Sequence, residues 1–181
     1  MLKRIIFFLL IVAIGILGYS FLFTNVFEKP LSPKDTVEFH LNDLELEVFY
    51  NRPSKRERHI FGGLVPYDQV WRTGANEATT FETNKALKIG NDSLPAGKYT
   101  LWTIPNDTLW NVIFNTKMYP WGVDDTMKPM RDPEFDIINY QAKPVTLDSA
   151  VEQFTIAFDN STDNLFLTMA WDQIKISVPL K

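Results

Sequence analysis

The chain has 181 residues, 45% of them hydrophobic, 14% aromatic and 22% charged, which is the composition of a folded globular protein and excludes a disordered or fibrous one. The formal net charge of −4 argues against nucleic acid and anionic membrane surfaces as partners, because both need basic side chains opposite their phosphates, and it leaves small neutral or cationic ligands open. There is no cysteine, so disulfides, thiol catalysis and thiolate metal sites are excluded.

The first predicted element is an apolar helix. Lys3 and Arg4 precede an unbroken apolar run at residues 5–23, which as a helix would be about 28 Å long, close to the thickness of a bilayer's hydrocarbon core. Basic residues before the run place residues 1–4 in the cytoplasm and the rest of the chain outside. We therefore expect a single-pass anchor that contacts the lipid bilayer, with the following domain on the periplasmic or extracellular side.

A cleavable signal peptide is the alternative for the same segment. Gly18 and Ser20 form a weak small-x-small site, so cleavage near Ser20 would release a secreted protein. The apolar residues that follow extend the run to spanning length and favour the anchor. Residues 24–34 contain Pro30 and Pro33 and are predicted to form a stiff juxtamembrane spacer. Residues 35–181 are then long enough for one extracytoplasmic domain.

Beyond the spacer the apolar residues recur with a period of two, which is typical of strands. Turn residues separate the alternating segments, as Asn42 and Asp43 do in the first hairpin. The clearest strand segments are residues 37–41, 44–50, 81–89, 98–104, 109–114, 135–142, 154–158, 165–171 and 174–178. The pattern predicts an all-β domain of about 8–10 strands, a β-sandwich or a jelly-roll-like fold.

The most distinctive segment of the sequence is FGGLVPYDQVWRTGANEATTF at residues 61–81. Its glycines indicate a loop of specific shape, and it carries Arg72, Asn76 and Glu77. A guanidinium, an amide and a carboxylate could together bind a polar ligand, with the carboxylate able to act as a base. The competing interpretation is a loop held together by its own polar side chains, in which Arg72 pairs with Glu77 and Asn76 caps nearby backbone groups.

A second candidate surface lies in the proline-rich loop that contains Tyr119 and Trp121. Aromatic faces pack on apolar sugar faces, so this pair makes a carbohydrate ligand one possibility beside a small polar one. No metal or cofactor is expected, because His40 and His59 are the two histidines of the chain and no metal-binding motif surrounds them. Serine hydrolase chemistry lacks its usual motif as well.

The strand and loop motifs resemble those of a bacterial family, the domain of unknown function 2911 family, from about Leu46 onward. The resemblance rests on RPS at 52–54, IFGGLVPY at 60–67, VWRTGANEATT at 70–80, LPAGKYTLWTIP at 94–105, WNVIFN at 110–115 and WDQIKISVP at 171–179. It implies an exported all-β domain and indicates no particular activity. His59 and the charged run at 55–58 are less typical of the family pattern.

These features together favour a membrane-anchored, extracytoplasmic β-sandwich that binds a ligand or partner in the cell envelope without catalysis. The expected contact surface combines the loop from Arg72 to Glu77 with the loop around Trp121. One alternative is a hydrolase-like enzyme that uses Glu77 as general base, with Arg72 steadying an anion and Asn76 beside them. The other is a purely structural envelope domain.

Overall fold

The computed structural model describes residues 1–23 and 30–181, and it divides into two compact units, Met1–Pro30 and Leu31–Lys181. The first unit contains one helix, α1, at Leu2–Phe23. It begins three residues before the apolar run and so includes Lys3 and Arg4. Its length and composition suit either a signal anchor or a signal peptide. Most of the predicted spacer, residues 24–29, lies outside the described residues.

The second unit is built of antiparallel strands, as predicted. Within the described residues there are ten: β1 Lys34–Leu41, β2 Leu44–Asn51, β3 Thr80–Thr83, β4 Leu87–Ile89, β5 Asp92–Leu94, β6 Gly97–Ile104, β7 Trp110–Asn115, β8 Asp136–Ala142, β9 Val145–Asp159 and β10 Leu165–Leu180. A short 3-10 helix, Pro133–Phe135, precedes β8. The first predicted hairpin, with Asn42 at a positive φ of 54° in its turn, is β1 and β2.

Six of the strands form one sheet in the order β1-β2-β3-β6-β7-β8. The long hairpin of β9 and β10 and the short hairpin of β4 and β5 form the opposite layer. Backbone hydrogen bonds in both directions between Lys88 and Lys181, 2.5 and 3.0 Å long, join these two hairpins edge to edge. The domain is therefore a two-layer antiparallel β-sandwich.

The main core lies between the two layers and is rich in aromatic rings. Tyr50 of the large sheet packs edge-on against Phe154 of the opposite layer, with ring centroids 5.8 Å apart. The Tyr50 hydroxyl accepts a hydrogen bond from the Ile156 backbone N–H at 3.1 Å, so a fully buried phenol joins the layers by a polar contact as well. Burial of each such side chain stabilises the fold by about 1.5–3 kcal/mol.

The C-terminal hairpin is longer than the sequence pattern predicts. β9 begins at Val145, well before the expected start at Phe154, and β10 is one continuous strand where we expected two. The reason is irregular register: the pairing shifts on both sides of Asp172, which has a positive φ of 52°. Such bulges interrupt the apolar alternation without ending the strand.

The outer face of the large sheet carries a second, smaller core. Trp102 of β6 and Ile113 of β7 are fully buried there, on the side away from the main core. Two long connections cover them: residues 52–79, which we call the β2–β3 connection, and residues 116–135, the β7–β8 connection. Val70, Ala78 and Tyr119 are the covering side chains. Both candidate loops therefore lie on the same face of the sandwich.

Candidate functional site

The β2–β3 connection holds Arg72 in a fixed position. The preceding residue, Trp71, forms a two-way backbone bridge with Thr103 of β6, with N–O distances of 2.7 and 3.0 Å. The following residue, Thr73, is fully buried at a positive φ of 56°, a conformation that is unusual for a β-branched residue. The Thr73 hydroxyl lies 3.1 Å from that of Thr103, and Thr79 donates to the Thr73 carbonyl at 2.7 Å.

A cleft of about 480 Å³ opens beside this bridge, within the range usual for small-molecule sites. Trp71 and Trp171 line it and stack on each other, with ring centroids 6.0 Å apart and ring planes 17° apart. Apolar side chains from the same connection and from two further parts of the chain complete the walls, including Leu31, Leu64, Val70, Val123, Met127 and Pro129. The cleft is therefore assembled by residues that are distant in sequence.

Three arginines line the cleft, and none of the described residues that line it is acidic. Arg72 is the most enclosed of them: its Nη1 atom is shielded from water and lacks a hydrogen-bond partner among the described residues. No ion pair with a described residue reaches its guanidinium either. Burial lowers the pKa of the Arg72 guanidinium, yet arginine keeps its charge at any physiological pH. The cleft wall therefore holds an unpaired positive charge.

The other two arginines, Arg56 and Arg58, are exposed. Arg56 has a positive φ of 49°, and its Nη2 donates to the Leu31 carbonyl at 3.5 Å. Arg58 donates from Nε to the Lys55 carbonyl at 3.0 Å. Within residues 30–181, neither guanidinium forms an ion pair with a carboxylate. Their backbone carbonyl partners leave the positive charges uncompensated at the cleft.

Asn76 and Glu77 belong to a different cluster. The Glu77 carboxylate contacts Lys34 Nζ at 2.5 Å and accepts a hydrogen bond from Asn51 Nδ2 at 2.9 Å. Asn76 donates to Asn51 Oδ1 at 3.3 Å. Neither residue lines the cleft. The expected pair between Arg72 and Glu77 is therefore wrong: Glu77 is directed to β1 and β2, while Arg72 lies at the cleft.

The contacts of Glu77 do not favour a role as general base. The hydrogen bond from Lys34 is the main cause that holds the pKa of Glu77 below its ordinary value, whereas an efficient base at neutral pH has a pKa near 7. Arg72, which the hydrolase hypothesis places beside Glu77 to steady an anion, lies at the cleft instead. Asn76 was expected to cap backbone groups nearby in sequence, but its amide donates to Asn51 Oδ1 and to the Ser32 backbone carbonyl, both of which are distant in sequence.

The two aromatics of the β7–β8 connection have different roles. Tyr119, expected to contact a ligand, is only 7% exposed; its ring packs edge-on against Trp102 at 5.3 Å, and its hydroxyl accepts from the Asp132 N–H at 2.8 Å. It supports the loop from beneath. Trp121 is 49% exposed and does not line the cleft, so its contact with a ligand stays a prediction.

Gly122 brings the β7–β8 connection onto the cleft wall. It has a positive φ of 79°, and a Cβ at this position would lie 3.2 Å from Ala78 and 3.3 Å from both Arg72 Cβ and Trp102. This close approach, which only glycine permits without strain, places the start of the connection against Arg72. The two predicted loops thus do meet, at Gly122 and Arg72.

Sequence reasoning missed Arg56 and Arg58, as well as most of the apolar walls. The charged run at 55–58 gave no signal that two of its side chains would line the same cleft as Arg72, because that depends on how the β2–β3 connection folds back. In the described part of the chain, no group of three or more histidine, aspartate and glutamate side chains is arranged to hold a metal ion.

Comparison with known proteins identifies the family of the β-sandwich. No curated protein and no solved structure shows a significant match to the chain. One family model, described as "Protein of unknown function (DUF2911)", matches residues 32–180. The match covers nearly the whole of the second unit, including every residue that forms the cleft except Leu31. The chain therefore belongs to the DUF2911 family.

Proposed function

We propose that this protein is a membrane-anchored, extracytoplasmic binding domain that holds a small molecule in the cleft beside Arg72 without catalysing a reaction on it. The observation that carries the proposal is the cleft itself, about 480 Å³ in volume, with Trp71 at its wall and the buried ring of Trp171 stacked on Trp71. Ligand sites are typically concave, largely apolar and formed before the ligand arrives.

The rigidity of the surrounding backbone supports this proposal. Thr73 holds a positive φ while fully buried, and hydrogen bonds to Thr79 and Thr103 fix it there. Strained conformations of this kind cost about 1–3 kcal/mol and are concentrated at functional sites.

A ligand screen with fluorine-labelled tryptophans tests the proposal. The full-length protein, carrying 5-fluorotryptophan in nanodiscs of zwitterionic lipid, is screened by NMR against neutral, cationic and anionic compounds, including short oligosaccharides. We expect a subset to shift the Trp71 and Trp171 resonances, which report on the cleft. A sugar that instead shifts Trp121 would support the carbohydrate contact expected at that exposed ring.

A matched pair of variants identifies the cleft as the site. Ala75 lines the cleft, so Ala75→Phe is expected to fill part of it and abolish the shifts. Ala96 lies exposed between β5 and β6, and Ala96→Phe adds the same ring away from the cleft and should leave binding intact. If no compound shifts either cleft tryptophan, a purely structural domain becomes the better account. If Ala75→Phe binds as the unmodified protein does, the ligand binds outside the cleft and the proposed site is wrong.

The location is a separate part of the proposal and has its own experiment. Helix α1 is apolar over a spanning length, and the basic residues Lys3 and Arg4 at its start favour a cytoplasmic N-terminus. Protease added to intact and to opened cells should reach the C-terminal domain only from the extracytoplasmic side. Full protection in cells whose envelope has been opened without lysis of the inner membrane would contradict this orientation. Recovery of a soluble fragment beginning near Ser20 would favour secretion.

A further inference from the structure

We propose that the cleft binds an anionic ligand with an apolar body, and that Arg72 pairs with its charged group. This inference rests on the proposed function and specifies the ligand of the same site. The shared chemistry is a carboxylate, sulfonate or phosphate attached to an apolar moiety, either as a small soluble molecule or as the headgroup of an anionic lipid.

Arg131 Nε is also buried without a partner, but Arg72 differs from the other enclosed arginines of the domain in having no carboxylate beside it among the described residues. Arg52 lies 3.2 Å from Asp35, and Arg131 pairs with Asp136. Arg72 has a nitrogen shielded from water and no acidic partner among the described residues. A charged group removed from water is unfavourable unless it is paired and hydrogen-bonded. An anion bound in the cleft would supply the missing partner.

The other charged side chains of the cleft also favour a bound anion. Arg56 and Arg58 add two positive charges to that of Arg72, and none of the described lining residues opposes them. The cleft is thus locally cationic on a protein whose net charge is −4, so the net charge, which left neutral or cationic ligands open, does not describe the charge of the cleft. Charges of one sign in a concave site attract the opposite ion, and a guanidinium binds carboxylate or phosphate through two parallel hydrogen bonds.

The walls indicate what the anion is attached to. Val70, Val123, Met127 and Pro129 line the cleft together with the stacked tryptophans. A small inorganic ion would leave these apolar surfaces in contact with water, whereas an aromatic or aliphatic body would cover them. The combination of guanidinium groups with apolar walls therefore selects an amphiphilic anion.

A matched pair of probes tests the charge requirement on the unmodified protein. 2-Naphthoate and 2-naphthamide share one ring system and differ by a negative charge. In zwitterionic nanodiscs, we expect the carboxylate to shift the Trp71 and Trp171 resonances with a Kd at least about tenfold lower than that of the amide, as a charge-assisted hydrogen bond requires. The preference should weaken as salt is raised, because Arg56 and Arg58 are exposed.

Variants assign this preference to one side chain. Arg72→Met should remove most of the difference between the two Kd values and leave only the small, salt-sensitive contribution of Arg56 and Arg58. Arg72→Lys keeps the charge but cannot form two parallel hydrogen bonds, and should leave an intermediate ratio. Lys143→Met removes one exposed positive charge that does not line the cleft and should leave the ratio unchanged. If Arg72→Met does not fold, the probe pair and Arg72→Lys still decide the question.

A comparison of lipids shows whether the anion belongs to a soluble molecule or to a lipid headgroup. Nanodiscs containing phosphatidylglycerol are compared with nanodiscs of phosphatidylcholine alone, without naphthyl probes. Cleft tryptophan shifts that appear only with phosphatidylglycerol, and that Arg72→Met removes, would identify an anionic lipid headgroup. Binding of 2-naphthoate with no response to phosphatidylglycerol would identify a soluble anion. Either result supports the inference.

Three results would overturn the inference, and they separate it from the proposed function. If 2-naphthamide binds as tightly as 2-naphthoate and Ala75→Phe blocks both, the cleft is a binding site without anion selectivity. If 2-naphthoate keeps its advantage in Arg72→Met, the anion binds elsewhere. If neither probe nor either lipid shifts Trp71 or Trp171 at millimolar concentration, the anion inference fails, and the broader screen of neutral and cationic compounds decides the proposed function.

Discussion

Replacing Arg72 with methionine should stabilise the ligand-free protein. The substitution keeps most of the apolar stem, removes a guanidinium that has no partner among the described residues, and leaves no acceptor unpaired. An unsatisfied buried polar group costs about 1–3 kcal/mol. Because the other guanidinium nitrogens are less enclosed, we expect a gain of about 1 kcal/mol, equivalent to a rise in Tm of roughly 2–4 °C for a domain of this size.

Arg131→Met is the matched comparison. Arg131 pairs with Asp136, and the two side chains are only 13% and 20% exposed. Removing this arginine leaves a largely buried carboxylate without its partner, for which we expect a loss of about 2 kcal/mol, below the roughly 3–5 kcal/mol typical of fully buried pairs. Thermal unfolding of each full-length variant in zwitterionic nanodiscs, followed by tryptophan fluorescence, measures both changes. A fall in Tm for Arg72→Met comparable with that for Arg131→Met would refute the reasoning.

Three further predictions concern the surroundings of the cleft. Gly122→Ala should destabilise the fold by about 1–3 kcal/mol, because the new Cβ would be crowded and the backbone φ is positive. Chemical denaturation measures the change, and an unchanged midpoint would contradict the close approach of Gly122 to Arg72 and Trp102. Glu77→Gln should lower Tm at pH 7, because it removes the ion pair between Glu77 and Lys34. The pKa of Glu77 is lowered in the folded state, so this pair stabilises the fold at a pH above the ordinary carboxyl pKa near 4.5. The stabilisation is lost as the pH falls through the folded pKa. The Tm difference from the unmodified protein should therefore disappear in acid, and a difference that grows there would contradict the sign. Trp121→Ala should change the free energy of unfolding by less than about 0.5 kcal/mol and leave 2-naphthoate binding intact, because the ring is exposed and outside the cleft; loss of binding would extend the site to that loop.

The sandwich could be predicted from sequence because each half-buried strand records its two faces in alternating residues. The hairpin of β1 and β2 follows this rule closely. The pattern failed at the C-terminal hairpin, where the bulges around Asp172 change which residues face inward without ending β10. Sequence periodicity carries no information about pairing across such a bulge.

The candidate site was predictable only in part. Arg72 was identified because it lies in a loop of unusual glycine and polar content, and it does line the cleft. Its expected partner Glu77 is five residues away in sequence, but the positive φ of Thr73 lies between them and the two side chains join different clusters. The contributions of Arg56 and Met127 arise from tertiary folding of two long connections, which local spacing does not encode.

The most direct test of the anion site is a crystal structure of the protein with 2-naphthoate bound. The account predicts naphthoate in the cleft, with its carboxylate oxygens about 2.7–2.9 Å from the guanidinium nitrogens of Arg72 and its rings against the apolar walls. A structure in which the carboxylate faces solvent while Arg72 stays unpaired, or in which naphthoate occupies another surface, would contradict it.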